Sequence, residues 1–300
     1  MKKISRIHHI SAMVGNAQEN LEFYSQVLNL RLVKQTVNFD DPSGYHLYFA
    51  SQNLSDPSLM TFFPLENSQA GTKGSGQGGR ILFQIPKASL DFWSQRLESF
   101  GIPYQERSLF EASALFFEDP HQLELALVEG PEEASTPEIT GFHGTYLLSA
   151  DYQASYQFLI NEFGLVPIAE NDDLYYLKTN RLEEDHIYLP KVNCERGQMG
   201  IGTVHHIAWA VENLEVLKQN RDYLAGIGQN VTVIRNRKYF KSIYFREPGK
   251  VIFELATDGP GITIDEPFDQ LGQKLQLPDK FENRRHQIET NLTPLRIPER

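Results

Sequence analysis

The chain has 300 residues, a net charge of −11 (28 Lys and Arg against 39 Asp and Glu) and a hydrophobic fraction of 40%. This length gives room for about two domains with ordinary globular cores, and the acidic balance argues against nucleic acid and anionic membrane surfaces as partners. One cysteine, Cys194, excludes an internal disulfide and a multi-cysteine zinc site. No signal peptide and no apolar run near the ~18 residues of a membrane span occur, so we expect a cytoplasmic protein.

Four similar modules follow one another along the chain, each predicted as a strand, a helix and about three further strands. The modules and their helices lie at about residues 7–64 (helix 18–28), 79–130 (helix 89–100), 142–190 (helix 152–163) and 204–258 (helix 214–226). Asn16 and Asn213 precede two of the helices and suit the N-cap position. This pattern predicts an α+β fold. The first pair of modules falls in residues 1–140, and the second pair plus a C-terminal tail falls in residues 141–300.

Two segments outside the modules are interpreted from their composition. The glycine-rich residues 71–79 lack the Gly-Lys-Ser/Thr order of a phosphate-binding loop, so we interpret them as a flexible linker. The tail, residues 259–300, is punctuated by prolines and has one short predicted helix near residues 280–290.

The first strands of modules one and four share a paired-histidine motif. Residues 7–14 read Ile-His-His-Ile-Ser-Ala-Met-Val, and residues 204–211 read Val-His-His-Ile-Ala-Trp-Ala-Val. Alternate residues of a strand share a face, so the apolar positions should pack on the helices while His9 and His206 face the other way. Glu254, in the last strand of module four, alternates with apolar residues and can face the same side.

Two imidazoles and one carboxylate form a facial triad, which leaves coordination positions open and suits Fe(II); Mn(II) and Zn(II) also accept these ligands. Alignment of the repeats places Arg80, Gly144 and Ala126 at the positions of the three ligands, so modules two and three should hold no metal. Glu124 shares a face with Ala126 but has no histidine companion in its module. We therefore expect one metal site, formed by His9, His206 and Glu254.

Four phrases carry a family resemblance: Ile-His-His-Ile (7–10), Thr-Val-Asn-Phe-Asp-Asp-Pro (36–42), Val-His-His-Ile (204–207) and Tyr-Phe-Lys-Ser-Ile-Tyr-Phe-Arg-Glu-Pro (239–248). With the repeated βαβββ module, they resemble the vicinal-oxygen-chelate superfamily, which includes glyoxalase I, bleomycin-resistance proteins and extradiol dioxygenases. The resemblance covers almost the whole chain and is nearest to the hydroquinone ring-cleaving dioxygenases. It implies two lobes of curved mixed sheets with helices outside. It also implies that modules one and four pair to form the metal cup, and that modules two and three pair with each other.

The resemblance further implies roles for residues around the metal. His8 and His205 correspond to groups near the substrate, in the second sphere or as acid/base catalysts, whereas strict alternation places both on the helix-packing faces. A bulge at the strand start could reconcile these two readings. Tyr244 and Arg237 correspond to residues that contact substrate oxygens, and Ser11 stands where close relatives have threonine.

These observations lead us to expect a non-haem Fe(II)-dependent, extradiol-type ring-cleaving dioxygenase that acts on a hydroquinone or catechol with O2. A glyoxalase-type isomerase or lyase stays open; its fourth ligand would come from residues 60–63, which contain no carboxylate, or from Glu66 just after them. A metal-free binding or resistance protein also stays open, as does a homo-oligomer. The histidines without a paired motif are interpreted as structural or surface residues: His46, His121, His143, His186 and His286.

Overall fold

The computed structural model describes residues 1–2, 4, 6–52, 54, 59–180 and 185–297, and it confirms the α+β class. The first module contains β1 (Ile7–Val14), α1 (Ala17–Glu22), β2 (Arg31–Val37), β3 (Tyr45–Ala50) and β4 (Leu59–Pro64). The second contains β5 (Gln77–Ile85), α2 (Leu90–Ser99), β6 (Tyr104–Leu109), β7 (Ala112–Glu118) and β8 (Glu124–Glu129). The third contains β9 (Gly141–Leu148), α3 (Tyr152–Asn161), β10 (Val166–Glu170), β11 (Leu174–Lys178) and β12 (His186–Pro190). The fourth contains β13 (Thr203–Val211), α4 (Leu214–Gly226), β14 (Arg235–Asn236), β15 (Lys241–Arg246) and β16 (Ile252–Thr257).

The helices begin where the sequence predicts. Asn16 and Asn213 accept hydrogen bonds from the backbone N–H groups two and three residues further on, which confirms both N-caps. The first helix ends early as an α-helix and continues as a π-helical turn, Phe23–Val27. In the tail, a 3₁₀ segment (Asp279–Arg284) leads into α5 (Arg285–Asn291), which confirms the predicted C-terminal helix. In the part of the chain that the structure describes, no helix is long and apolar enough to cross a membrane.

The strands form two curved cups within one sheet. In the first cup, strands β2-β3-β4-β1 continue directly into β13-β16-β15-β14, because β1 and β13 pair antiparallel. In the second cup, strands β6-β7-β8-β5 continue into β9-β12-β11-β10 in the same way. The cups meet where β5 pairs with β13 at Gly78 and Val204. Modules one and four therefore share the first cup, and modules two and three share the second.

The convex faces of the sheets carry the hydrophobic core. Ile10 of β1 and Ile207 of β13 are fully buried on this face, as alternation requires. On the first helix, Tyr24 packs its ring 4.3 Å from that of Phe62 of β4. Because the helices cover this face with apolar side chains, the concave faces are left for polar groups.

Residues 71–79 are an ordered strand partner, so the prediction of a flexible linker is wrong. They run beside residues 195–201, and Thr72 pairs with Gln198. A Cβ atom on Gly74 would lie 2.5 Å from the backbone oxygen of Glu195. The glycines therefore serve close backbone approach here, and not flexibility.

Candidate metal centre and active site

Two β-bulges place the paired histidines at the seam of the first cup. The register between β1 and β13 shifts once between Ile7 and His9 and once between Ser11 and Ala12. The first shift makes His8 the extra residue of β1, and the second makes His205 the extra residue of β13. Because a bulge breaks strict alternation, neighbouring side chains can turn towards the same side of the sheet.

The three expected ligands lie together at the base of this cup. The Nε2 atom of His9 is 3.1 Å from that of His206, and the two nitrogens lie 3.1 and 2.9 Å from Oε2 of Glu254. All three side chains are buried, Glu254 completely. Glu254 reaches this position because β16 runs parallel to β13, with Glu254 in register with Ala208.

This donor set fits a divalent cation. Two ligand atoms about 2.0–2.2 Å from one ion, at right angles, are about 3 Å apart, which matches the three separations. Burial lowers the pKa of His206 and so favours its neutral form. Although burial alone would favour a neutral acid, the imidazoles hold the pKa of Glu254 well below its usual value. Oε2 of this buried carboxylate lies against the two imidazole nitrogens, so a cation held between the three groups would offset its negative charge.

Each central histidine is supported by the histidine that precedes it. Nδ1 of His8 lies 2.8 Å from Nδ1 of His9, and Nδ1 of His205 lies 2.7 Å from Nδ1 of His206. Burial lowers the pKa of His8 well below its usual value and that of His205 to about 3, so both rings are neutral. They can accept an N–H from His9 and His206, whose Nε2 lone pairs then point at the shared centre, as in many metal sites.

A cavity of about 200 Å³ opens beside the triad. Aromatic and polar side chains from modules one and four line it: His9, Met13, Asn38, Phe39, Asp40, His46, Tyr48, Phe63, Leu65, His205, His206, Arg237, Phe240 and Tyr244. The two supporting histidines differ here, because His205 lines the cavity whereas His8 packs behind it, with its ring 5.0 Å from that of Phe240. Of these two histidines, only His205 borders the cavity and can contact a ligand there.

Tyr244 and Arg237 also face the cavity, and they contact each other. Nε of Arg237 donates to the Tyr244 hydroxyl at 3.1 Å, and its two terminal nitrogens donate to Asp40 at 3.0 and 3.1 Å. Burial raises the pKa of Tyr244 well above its usual value, so the phenol stays protonated. Having accepted from Arg237, Tyr244 keeps its own proton, which it can donate to Glu254 or to an acceptor in the cavity. Arg237 positions Tyr244 and links module four to the loop of Asp40.

Two residues of β3 also belong to the site. His46 and Tyr48 alternate onto the concave face of β3 and line the cavity. The interpretation of His46 as a structural or surface residue is therefore too narrow; the alternation along β3 was the available signal. Ser11 is buried beneath the cavity and does not line it, and its Oγ lies 2.6 Å from Oγ1 of Thr61.

Three of the other histidines hold backbone or side chains together, which agrees with a structural role. Nε2 of His121 accepts the backbone N–H of Asn16 at 3.1 Å. Nε2 of His143 lies 2.7 Å from the Tyr188 hydroxyl, and Nδ1 of His186 lies 3.0 Å from the backbone oxygen of His143. The triad in the first cup is the only cluster of metal-ligating side chains within the described ranges.

Paired βαβββ modules around two histidines and one glutamate define a class of metal-binding enzymes, and comparisons with known proteins agree. Residues 6–121 match the Glyoxalase/Bleomycin resistance protein/Dioxygenase superfamily. MhqO of Bacillus subtilis, named as a ring-cleaving dioxygenase, is 42% identical over 99% of each chain. The chlorohydroquinone/hydroquinone 1,2-dioxygenase of Sphingobium indicum is 27% identical over 94% of each chain. A crystal structure of a B. subtilis protein named as a dioxygenase superposes with a TM-score of 0.95 at 42% identity, over 100% of each chain. The chain belongs to this superfamily, among its ring-cleaving dioxygenases.

Proposed function

We propose that the protein is a non-haem Fe(II)-dependent, extradiol-type dioxygenase that cleaves the ring of a hydroquinone or a catechol. The observation that carries this proposal is the convergence of His9, His206 and Glu254 beside a small aromatic cavity. Its volume of about 200 Å³ is below the roughly 300–1,000 Å³ of pockets for drug-sized ligands, which favours a single ring. The relative named for chlorohydroquinone and hydroquinone supports the substrate class.

Fe(II) is the proposed metal because two imidazoles and one carboxylate leave open positions for both a substrate and dioxygen. Mn(II) and Zn(II) accept the same three ligands. When bound, the ion would supply open positions for substrate and O2 and would lower the pKa of the substrate phenol. A hydroquinone presents one oxygen to such a centre, because its para hydroxyls cannot both reach one ion. A cytoplasmic setting, as expected from the sequence, is part of the proposal.

The surrounding side chains supply orientation and proton handling. His8 and His205 hold the rings of His9 and His206, so that both Nε2 atoms face Glu254. His205 also lines the cavity and is neutral, and because its Nδ1 accepts from His206, its Nε2–H can donate to a substrate oxygen. The Tyr244 hydroxyl, held by Arg237, can donate to a substrate oxygen.

The register of the first cup disfavours a four-ligand, glyoxalase-type centre. Glu254 pairs with Ala208, two residues after His206. The equivalent position in module one, paired with Ser11 two residues after His9, is Thr61. A second carboxylate is therefore replaced by a hydroxyl, and Glu66 is exposed. A metal-free binding protein would leave a buried carboxylate without a cation.

Oxygen uptake tests the proposal. The protein would be purified without oxygen, loaded with Fe(II), and mixed with a series of hydroquinones and catechols in an oxygen electrode. We expect oxygen consumption with at least one of them, matched by loss of the aromatic absorbance. A protein that binds one equivalent of Fe(II) but consumes no oxygen with any of these rings would contradict the proposal.

A further inference from the structure

Four buried polar side chains form a continuous hydrogen-bonded chain under one wall of the cavity. Oγ of Ser11 lies 2.6 Å from Oγ1 of Thr61, which lies 3.0 Å from Nε2 of His46. Nδ1 of His46 lies 3.2 Å from the hydroxyl of Tyr48. All four residues are less than 8% exposed, and His46 also stacks on Phe63 with ring centroids 4.1 Å apart. This chain of hydrogen bonds thus runs from beneath the triad to the cavity wall.

The number of protons on the four side chains limits which atom donates in each hydrogen bond. Three hydroxyls and one neutral imidazole carry four protons, and the three hydrogen bonds use only three of them. Burial lowers the pKa of His46 and raises that of Tyr48, so neither ring is ionised. The fourth proton must therefore sit at one end, on Ser11 or on Tyr48.

The two ends differ in what they can reach. Ser11 is fully buried and does not line the cavity, and within the described part of the chain its hydroxyl has no acceptor other than Thr61. A proton left there would be a buried donor without a partner, which costs stability. Tyr48 lines the cavity, where a ligand can accept its proton. The direction that leaves no buried donor without a partner is therefore favoured. In this direction Ser11 donates to Thr61, Thr61 donates to Nε2 of His46, and Nδ1 of His46 donates to the Tyr48 oxygen.

The pseudo-symmetry of the cup supports a ligand-contacting role. Tyr244 is paired with Glu254 on the neighbouring strand, and Tyr48 is paired with Thr61, the equivalent position in module one. Each hydroxyl lies within hydrogen-bond distance of a basic side chain, Arg237 at 3.1 Å in one case and His46 at 3.2 Å in the other. The cavity is thus flanked by two phenols in matching positions.

We propose that Tyr48 is a substrate-contacting hydrogen-bond donor, held in that role by His46, for a ring oxygen of the substrate that is not bound to the metal. This inference rests on the proposed function, because it identifies what recognises the second oxygen of a hydroquinone. His46 is a positioning residue, since it acts through Tyr48. A ring with a second oxygen should bind more tightly than phenol through this contact.

The direction of the hydrogen bonds can be tested without catalysis, by determining which nitrogen of His46 carries the proton. Nitrogen-15 NMR of the metal-free protein, with the His46 signal assigned by its loss in His46→Phe, should show Nδ1 protonated and Nε2 bare. In Thr61→Val, which is nearly isosteric and removes the donor to Nε2, the Nε2 signal should shift. A His46 ring protonated on Nε2 and bare at Nδ1 would place the free proton at Ser11 and overturn the inference.

Ligand affinity tests the contact itself. Anaerobic calorimetry on metal-loaded protein would compare hydroquinone with phenol. Tyr48→Phe should weaken hydroquinone about five- to tenfold, the usual worth of one hydrogen bond, and leave phenol unchanged. Tyr45→Phe is the matched control, because Tyr45 lies on the same strand and its hydroxyl donates to the backbone oxygen of Thr293, away from the cavity.

The outcomes separate this inference from the proposed function. Equal weakening of both rings in Tyr48→Phe, or of neither, would overturn the role of Tyr48 and leave the dioxygenase proposal in place. Wild-type protein that binds neither ring would overturn the inference, whereas oxygen uptake with the hydroquinone and catechol series decides the dioxygenase proposal. Selective loss for hydroquinone, with unchanged metal content and the expected tautomer, would support the inference even if chemistry itself were slow.

Discussion

The two cups have the same strand order and matching register, yet their concave faces differ completely. In the first cup Ser11 pairs with His206, and in the second Leu82 pairs with Gly144 at the equivalent place. The concave face of the second cup is filled by stacked aromatic rings in contact at 4.7–5.2 Å: Phe110, Tyr146, Tyr176 and Tyr188. One cup therefore keeps buried polar ligands beside a cavity, and the other has become a second hydrophobic core.

Backbone spacing explains why the second cup is expected to hold no metal. A Cβ atom on Gly144 would lie 2.0 Å from the backbone oxygen of His186, because β12 approaches β9 closely there. A histidine at this position would force the strands apart. A shared fold thus preserves the positions of a site, whereas local strand contacts decide whether ligands fit.

Removal of the carboxylate from the first cup should have the largest effect. Glu254→Ala should lose bound metal and lower the rate of oxygen uptake more than about 100-fold, since loss of even an outer partner costs 10- to 100-fold. The matched control is Glu124→Ala in the second cup, where the carboxylate lies 3.5 Å from Nζ of Lys73 at the surface. Metal analysis and oxygen uptake should leave this control unchanged. Full metal content in Glu254→Ala would show that the ligand set is wrong.

The triad was predictable because alternation and repetition act locally. His9 and His206 occupy equivalent places in two repeats, and Glu254 follows from the pairing of one more strand. The bulges that carry His8 and His205 were not predictable from alternation, since they depend on two register shifts between strands far apart in sequence.

The polar chain and the glycine segment depend on longer-range contacts. His46 meets Ser11 only because Thr61 lies between them, in register with Ser11 across β1 and β4. Similarly, residues 71–79 resemble a flexible linker in composition, and only their partner at residues 195–201 gives them a fixed structure. Neither partner can be read from local sequence.

Removal of an aromatic ring from the second cup should affect stability and leave the metal in place. Tyr188 is fully buried in the stack, so Tyr188→Ala should lower the free energy of unfolding by about 3–5 kcal/mol, as for other large-to-small core substitutions. Urea denaturation measures this change, and metal analysis of the folded protein should match wild type. Loss of metal without loss of stability would mean that the second cup participates in the site.

The stability of the protein should depend on pH through His143, a buried neutral histidine of the second cup. Burial lowers the pKa of His143 from 6.5 to about 3, so between these values the unfolded chain binds more protons than the folded protein. Stability is therefore complete above pH 6.5 and falls as the pH decreases. His143→Gln cannot titrate and should lose ~2 kcal/mol less than wild type between pH 7 and pH 5. Urea denaturation of metal-free protein at both pH values checks this; equal losses would contradict it.

The central claim is that one ion binds between two histidines and a glutamate drawn from modules one and four. Anomalous X-ray scattering at the iron edge, from a crystal of Fe(II)-loaded protein, tests it most directly. We predict one peak per chain, within coordination distance of His9, His206 and Glu254, and none in the second cup. A crystal that contains iron by fluorescence but shows no peak at this triad would contradict the account.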